Sequence, residues 1–287
     1  MTWRVVARKD FRDAVQSRAL WALVAVFVLL SVLSTYAYVE VPEMFGEPGG
    51  ATFAGLLFFT AGLTGLFVPL AAIVVCYRSL AGECELGSIR LLLSLPTNRL
   101  AVFAGTVAGR AAVLTVGLGV GLAAGLGFGV ALLGTVDPLA VLGFLLVTGA
   151  FAVVYAVVVV SLSATTGSTM RATTLALGFF VVFEMFWDVV PMAVLYVVSG
   201  FELPASVPDW VHVVSQLSPS TAYLSSLVAL LPDLADAAGA AQDGAGVEAT
   251  PAADPFSLAP AVGLVVLALW FVVPFVVGYR RFEAADL

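Results

Sequence analysis

The longest charge-free stretch of the chain reads PLAVLGFLLVTGAFAVVYAVVVVSLSATTGSTM and occupies residues 138–170. A helix needs about 20 predominantly apolar residues to cross the hydrocarbon of a bilayer, and this stretch is longer than that. Its residues do not alternate between polar and apolar, as the strands of a transmembrane barrel do. The stretch therefore predicts a transmembrane helix.

Other apolar stretches extend this prediction along the chain. Asp, Glu, Lys and Arg are also absent from residues 19–39, 48–77, 111–136 and 255–279, and a further apolar stretch between 171 and 202 contains two acids. The predicted spans are about 20–38, 54–77, 104–133, 139–163, 173–198 and 257–279. The sequence thus predicts an all-α integral membrane protein with six transmembrane helices within residues 19–279.

The composition excludes several classes of protein. Hydrophobic residues make up 61% of the 287 residues and charged residues 11%, against about 45–50% and 25% in a typical soluble domain. So few polar side chains cannot cover the surface of a soluble enzyme or keep a disordered chain soluble in water. The net charge of −7 also argues against a nucleic-acid partner, because nucleic-acid binding needs a basic face. The lipid bilayer is the partner that this composition fits.

Basic residues predict the orientation of the chain. Five of the 12 Lys and Arg residues lie in the first 18 residues, and the others are Arg78, Arg90, Arg99, Arg110, Arg171, Arg280 and Arg281. The three loops between these groups carry acids but no bases. Since Lys and Arg concentrate in cytoplasmic loops, we expect a multi-pass plasma-membrane protein with both termini, including the tail 280–287, in the cytoplasm.

Residues 1–18 predict a helix that lies on the membrane surface. Trp3 and Phe11 fall on one side at helical spacing, and Arg8 and Arg12 fall on the other. Such a helix rests its apolar face in the headgroup region. The alternative is a positively charged topology anchor with no further role.

The third predicted span contains glycines at intervals of four. The repeated positions are Gly117, Gly121, Gly125 and Gly129. Small residues at this spacing let helix backbones approach closely in lipid. The pattern predicts tight packing, either within one subunit or between two.

The long outer loop, residues 199–256, contains two apolar stretches that are too short to span a membrane. VPDWVHVVSQL at 207–217 and SPSTAYLSSLVALL at 218–231 predict short interfacial or re-entrant helices. Residues 233–254 are rich in Ala, Gly and Asp, which favours a flexible loop.

Two acids interrupt the fifth predicted span. Glu184 and Asp188 are four residues apart, which places them on one face of a continuous helix. Acids inside a membrane usually face a cavity or a polar partner. They are therefore candidates for the translocation path, or else they bond to Thr, Ser or Tyr on neighbouring helices.

The predicted cytoplasmic loop 78–103 combines acids with an apolar run. Glu83 and Glu85 are expected at the start of a short helix, where acids favour the positive end of the helix dipole. The leucines that follow would bury against a partner or the membrane surface. Pro96 should end the helix, because it disfavours the helical conformation of the residue before it.

This loop resembles that of the ABC-2 type transporter permeases, especially the NosY-like group. In that family E-x-E-x-G-[ST] precedes LLLSLP and an Arg, and the matching residues here are Glu83, Glu85, Gly87, Ser88, Leu91–Leu95, Pro96 and Arg99. The start VARKDFRDAVQSR at 6–18 is similar to the family's elbow helix, and SPSTAY at 218–223 to its segment before the last span. Cys84 and Thr106 depart from the family, which commonly has basic residues there.

The resemblance implies the permease subunit of an ATP-driven exporter, in which two identical or related permease chains join two ATP-binding subunits. The loop would fit a groove of the ATP-binding subunit, and the residues implied in this coupling are Glu83, Glu85, Gly87, Arg90, Leu91, Leu92, Pro96 and Arg99. No GxxxxGK[ST] phosphate-binding motif surrounds Lys9, the single lysine. We therefore expect no cofactor in this chain and place ATP and Mg²⁺ on the partner.

Two other functions are alternatives to transport by a permease. An intramembrane protease could use Ser168 and His212, but the predicted topology puts them on opposite sides of the membrane. A secondary transporter often shows inverted repeats, and the two halves of this sequence show no convincing similarity.

Overall fold

The long apolar stretches form helices in the computed structural model, which describes residues 3–44, 50–87, 98–202, 204, 207–244 and 261–285. No strand occurs among these residues. Five helices among these residues are long and apolar enough to cross a membrane. They correspond to α2 Arg18–Met44, α3 Phe53–Cys76 with its continuation through residues 77–85, α5 Arg99–Leu133, α6 Pro138–Ala164 and α12 Ala261–Glu283. The predicted all-α membrane fold is confirmed.

The fifth predicted span differs from the single helix expected at 173–198. It consists of α7 Thr169–Phe180, a π-helical turn Val181–Met185 and α8 Val189–Val198. The two halves are bent by 57°. The described residues thus contain five spans, or six if the bent pair is one span.

Shorter helices complete the described part of the chain. They are α1 Trp3–Val15, α4 Ser79–Glu85, α9 Asp209–Ser215, α10 Pro219–Leu230 and α11 Pro232–Gly244. Helices α9 and α10 occupy the two short apolar stretches of the outer loop. Helix α11 corrects the expectation of a flexible loop from residue 233, since alanine favours helix, and residues 245–254 lie outside the described ranges.

Side-chain caps account for where several spans begin. The Thr52 hydroxyl accepts a hydrogen bond from Gly55 N (3.0 Å) before α3. Asn98 accepts one from Ala101 N (2.7 Å), so α5 begins at Arg99, earlier than the predicted residue 104. The cap satisfies a backbone N–H that has no partner inside the helix.

The glycine spacing brings α5 against α2 inside the subunit. A Cβ atom added at Gly121 would lie 2.6 Å from Phe27 Cβ, and one added at Gly117 would lie 3.5 Å from Val24 Cγ2. Added Cβ atoms would overlap Ser31 at Gly125 and Leu56 at Gly129. Three of the four glycines thus face α2, and Gly129 faces Leu56 of α3 most closely.

The same face of α5 continues toward the chain's N-terminal helix. A Cβ atom at Gly105 would lie 2.6 Å from Val6 Cβ, and one at Gly109 would lie 2.8 Å from Asp10 Cβ. Helix α1 therefore packs directly on α5, through two glycines that the sequence reasoning did not single out.

Helix α10 is built into the bundle. Tyr223 is fully buried, its ring stacks on Phe151 at 4.4 Å between centroids, and its hydroxyl lies 2.8 Å from the Thr148 hydroxyl. A Cβ atom at Gly263 of α12 would lie 2.6 Å from Ala222 O. This short helix is thus a packed element between α6 and α12.

Candidate functional site

The predicted coupling residues are only partly described. Arg90, Leu91, Leu92 and Pro96 lie outside the described residues. Glu83 and Glu85 lie in the last turn of α4 rather than at the start of a helix, which corrects the prediction. Helix α4 starts earlier because Leu80 and its neighbours are buried directly after the second span. Gly87 follows with a φ of 71°, a conformation that glycine adopts without steric cost.

The beginning of α4 is fixed by a side chain from the fourth span. The buried Ser163 hydroxyl accepts hydrogen bonds from Leu80 N (3.3 Å) and Ala81 N (3.0 Å). It also donates to Tyr77 O at 2.9 Å. Ser163 thus serves as the cap that α4 lacks in its own sequence, and it ties α4 to α6.

The end of α4 is attached to the start of α7. Glu85 Oε2 accepts a hydrogen bond from Thr169 N at 2.9 Å. Ser168, which precedes α7, makes no capping hydrogen bond with its side chain. Glu85 therefore satisfies an N–H group at the start of α7, where a negative charge also favours the helix dipole.

Arg99, another predicted coupling residue, contacts the last helix. Its Nη1 atom, with two N–H groups, lies within hydrogen-bond distance of the carbonyl oxygens of Phe282 (3.0 Å), Glu283 (2.5 Å) and Ala285 (2.9 Å). Carbonyls at a helix C-terminus have no partner inside the helix, and a cation there favours the dipole. Arg99 thus attaches the start of α5 to the end of α12.

An ion pair joins the N-terminal helix to the second and third spans. Arg110 Nε lies 3.0 Å from Asp10 Oδ2, and Arg110 Nη2 lies 3.3 Å from Asp10 Oδ1. Arg110 Nη1 donates to Val75 O at 2.9 Å. Burial raises the pKa of Asp10 above its ordinary value, and the Arg110 charge opposes that shift.

The break in the fifth span surrounds Glu184. In the π-helical turn, Phe186 N donates to Val181 O at 3.1 Å. The Glu184 carboxylate accepts hydrogen bonds from the hydroxyls of Tyr155 on α6 and Ser220 on α10. The structure therefore supplies the Ser and Tyr partners that one of the two interpretations of Glu184 requires.

Asp188 is separated from Glu184 by the bend. It precedes α8, so the expectation that both acids share one face of a continuous helix is wrong. A hydrogen bond joins it to Ser215 of α9. The adjacent Trp187 Nε1 donates to Val214 O at 2.8 Å. The outer half of the span is thus attached to α9, whereas Glu184 is attached to α6 and α10.

Several residues of these junctions could not be identified as functional from the sequence. Ser163, Thr169, Tyr155 and Ser220 are single hydroxyl residues in apolar surroundings and carry little sequence signal. Arg110 offered a clearer one, because a cation near a span needs a partner.

Comparison with known proteins finds a family model and two relatives whose descriptions agree with one another. A family model described as "ABC-2 family transporter protein" matches residues 4–287. A protein of Pseudomonas aeruginosa described as "Probable ABC transporter permease protein NosY" is 28% identical over 216 residues, covering 71% of this chain and 74% of that protein. A protein of the same description from Stutzerimonas stutzeri is 25% identical over 208 residues, covering 71% and 74%.

Proposed function

Since the chain belongs to the ABC-2 family of transporter proteins and is an ABC transporter permease subunit, we propose that it is the membrane part of an exporter driven by a separate ATP-binding subunit. The resemblance predicted from the loop sequence is confirmed at the level of the family. Export, the separate ATPase and a second permease chain form the proposal.

One exposed apolar pair carries the proposal of an ATP-binding partner. Leu86, directly after α4, is 76% exposed, and Met170, in the first turn of α7, is 80% exposed. They flank the hydrogen bond between Glu85 and Thr169. Residues 88–97, with the LLLSLP motif, follow in the chain. We assign this Leu86–Met170 surface to the contact with the ATP-binding subunit.

The junctions support a single cytoplasmic end of the bundle. Hydrogen bonds join Asp10 to Arg110, Glu85 to Thr169 and Arg99 to the carbonyls around Glu283. These contacts bring together the four segments that carry the basic residues. Because basic segments concentrate on the cytoplasmic side, we propose that the chain lies in the plasma membrane with this end and both termini facing the cytoplasm.

We propose that the translocation path lies between two permease chains, either identical or related, and that Glu184 and Asp188 line this path. Support comes from the break in the span that carries them, since π-helical turns frequently occur at functional sites. ATP binding would close the ATP-binding subunits and move the cytoplasmic end of the permease.

Co-purification tests the proposed partner. The tagged chain is expressed in its native host, and the ATP-binding subunit recovered with it is quantified by mass spectrometry. Burying an apolar side chain contributes about 1.5–3 kcal/mol, so replacing Leu86 and Met170 with Asp should weaken the complex at least about tenfold. Leu139→Asp is the matched control, because Leu139 is 75% exposed and lies at the opposite end of the bundle. Equal recovery from all three proteins would remove the surface from the contact.

A further inference from the structure

The contact between α4 and α7 joins the predicted coupling loop to the broken fifth span. We propose that Glu85 is a positioning residue that makes α4 and α7 move as one body, so that movement of the loop changes the bend at residues 181–188. This inference rests on the proposed function, because it requires an ATP-binding subunit that moves the loop.

Helix α4 is held at both of its ends. Ser163 bonds to the backbone N–H groups of Leu80 and Ala81 at its start. At its end, Glu85 bonds to Thr169 N. A seven-residue helix fixed in this way cannot rotate away from α7 without breaking the bond at Glu85.

The two helices also touch beside this hydrogen bond. A Cβ atom added at Gly82 would lie 3.8 Å from Thr169 Cγ2 and 3.5 Å from Arg78 Cβ, which are ordinary van der Waals distances. Gly82 is buried. The start of α7 thus lies next to α4 at Gly82, with room for one methyl group between the two helices.

Among the described residues, Glu85 provides the cap for the first N–H of α7, Thr169 N. The preceding Ser168 makes no side-chain cap of its own. A cap provided by the loop means that the start of α7 follows the loop rather than the short connection after α6. This arrangement distinguishes Glu85 from an acid that only solubilises the loop.

The far end of α7 is attached to α10 and to α6 at Tyr155, away from the Ser163 end of α6 that holds α4. Beyond the helix, Glu184 accepts hydrogen bonds from Tyr155 on α6 and Ser220 on α10. A displacement of the start of α7 therefore acts against a fixed point at Glu184. The 57° break lies next to this point and would absorb the displacement as a change of angle.

Hydrogen–deuterium exchange tests the link without knowledge of the transported substrate. The complex with its ATP-binding subunit is measured in nanodiscs, with and without ATP and vanadate. In the wild type we expect exchange of residues 181–188 to change on ATP trapping. Glu85→Ala should reduce this change at least fivefold. Glu85→Gln keeps a carbonyl oxygen for Thr169 N and should stay within twofold of the wild type.

A disulfide provides the rescue. The double variant Gly82→Cys and Thr169→Cys, with Cys76→Ala and Cys84→Ser, is oxidised for this purpose, since a Cβ atom at Gly82 would lie 3.8 Å from Thr169 Cγ2, which is one bond from Thr169 Cβ. Oxidation should restore the ATP-dependent change in the Glu85→Ala background, and reduction should remove it. A merely local role of Glu85 predicts no such rescue.

Several results would overturn the link. They are an unchanged ATP response in Glu85→Ala, no ATP response at 181–188 in the wild type, or loss of the response on cross-linking. Failure of any ATP-binding subunit to co-purify with the wild type would instead refute the proposed function.

Discussion

Substitutions on the glycine face of α5 distinguish the effect of close helix packing on stability from the effect of helix propensity. Gly121→Ala adds a Cβ atom 2.6 Å from Phe27 Cβ and 2.8 Å from the Phe27 carbonyl carbon. Backbone cannot move aside as a side-chain tip can, so the two helices must separate. Overpacking of this kind costs about 1–3 kcal/mol.

Gly119→Ala is the matched control on the same helix. Nothing lies within 4 Å of a Cβ atom added there. Both substitutions gain the same helix propensity, about 1 kcal/mol in a helix interior, so this gain cancels in the comparison. Gly121→Ala should therefore be less stable than Gly119→Ala by about 1–3 kcal/mol.

Thermal unfolding in detergent, followed by size-exclusion chromatography of the remaining folded protein, measures the difference. A shift of about 2–4 °C per kcal/mol places the midpoint of Gly121→Ala several degrees below that of Gly119→Ala. Equal midpoints would refute the close packing of α5 on α2.

Four further perturbations test the junctions. Tyr155→Phe and Ser220→Ala should each lower the free energy of unfolding by about 1 kcal/mol. Glu184→Ala should cost about as much as both together, because it removes the acceptor of both hydrogen bonds. If thermal melts show that the costs of all three substitutions add up, the three residues do not form a shared network. Arg110→Ala should lower the free energy of unfolding by roughly 1–3 kcal/mol. Arg110→Lys should cause most of the same loss, since one ammonium cannot reproduce the guanidinium geometry, and full stability of Arg110→Lys would contradict this. Arg99→Ala should speed hydrogen exchange of residues 280–285 at least tenfold, with Arg171→Ala as the control, and equal exchange would show that the carbonyl contacts do not hold the end of α12. Glu184→Ala with Asp188→Ala should abolish transport, once a substrate is found, but leave membrane insertion intact, and normal transport would remove both acids from the path.

The spans were predictable because charge-free length is a local property of the sequence. Their ends were less so, since Asn98 extends α5 by a cap rather than by hydrophobicity. The bend in the fifth span was not predicted, because the apolar residues on both sides of it read as one helix. The acids Glu184 and Asp188 were the available sign of irregularity.

The junctions were beyond sequence reasoning because they are non-local. Ser163 caps a helix 82–83 residues earlier in the chain, and Glu85 lies 84 residues from Thr169. The predicted placement of Glu83 and Glu85 at a helix start was wrong for α4. The underlying argument still applies to Glu85, whose charge lies at the start of a different helix, α7. The glycine spacing predicted close packing but could not identify α2 and α3 as the partners.

ATP hydrolysis by the purified assembly tests the central claim most directly. The tagged chain is isolated from its native membrane, reconstituted in nanodiscs and assayed for vanadate-sensitive hydrolysis, in the wild type and in a variant lacking residues 83–96. The proposed function predicts a co-purified ATP-binding subunit and hydrolysis that depends on the intact loop. Recovery of the intact chain without any ATP-binding subunit, and without hydrolysis, would contradict it.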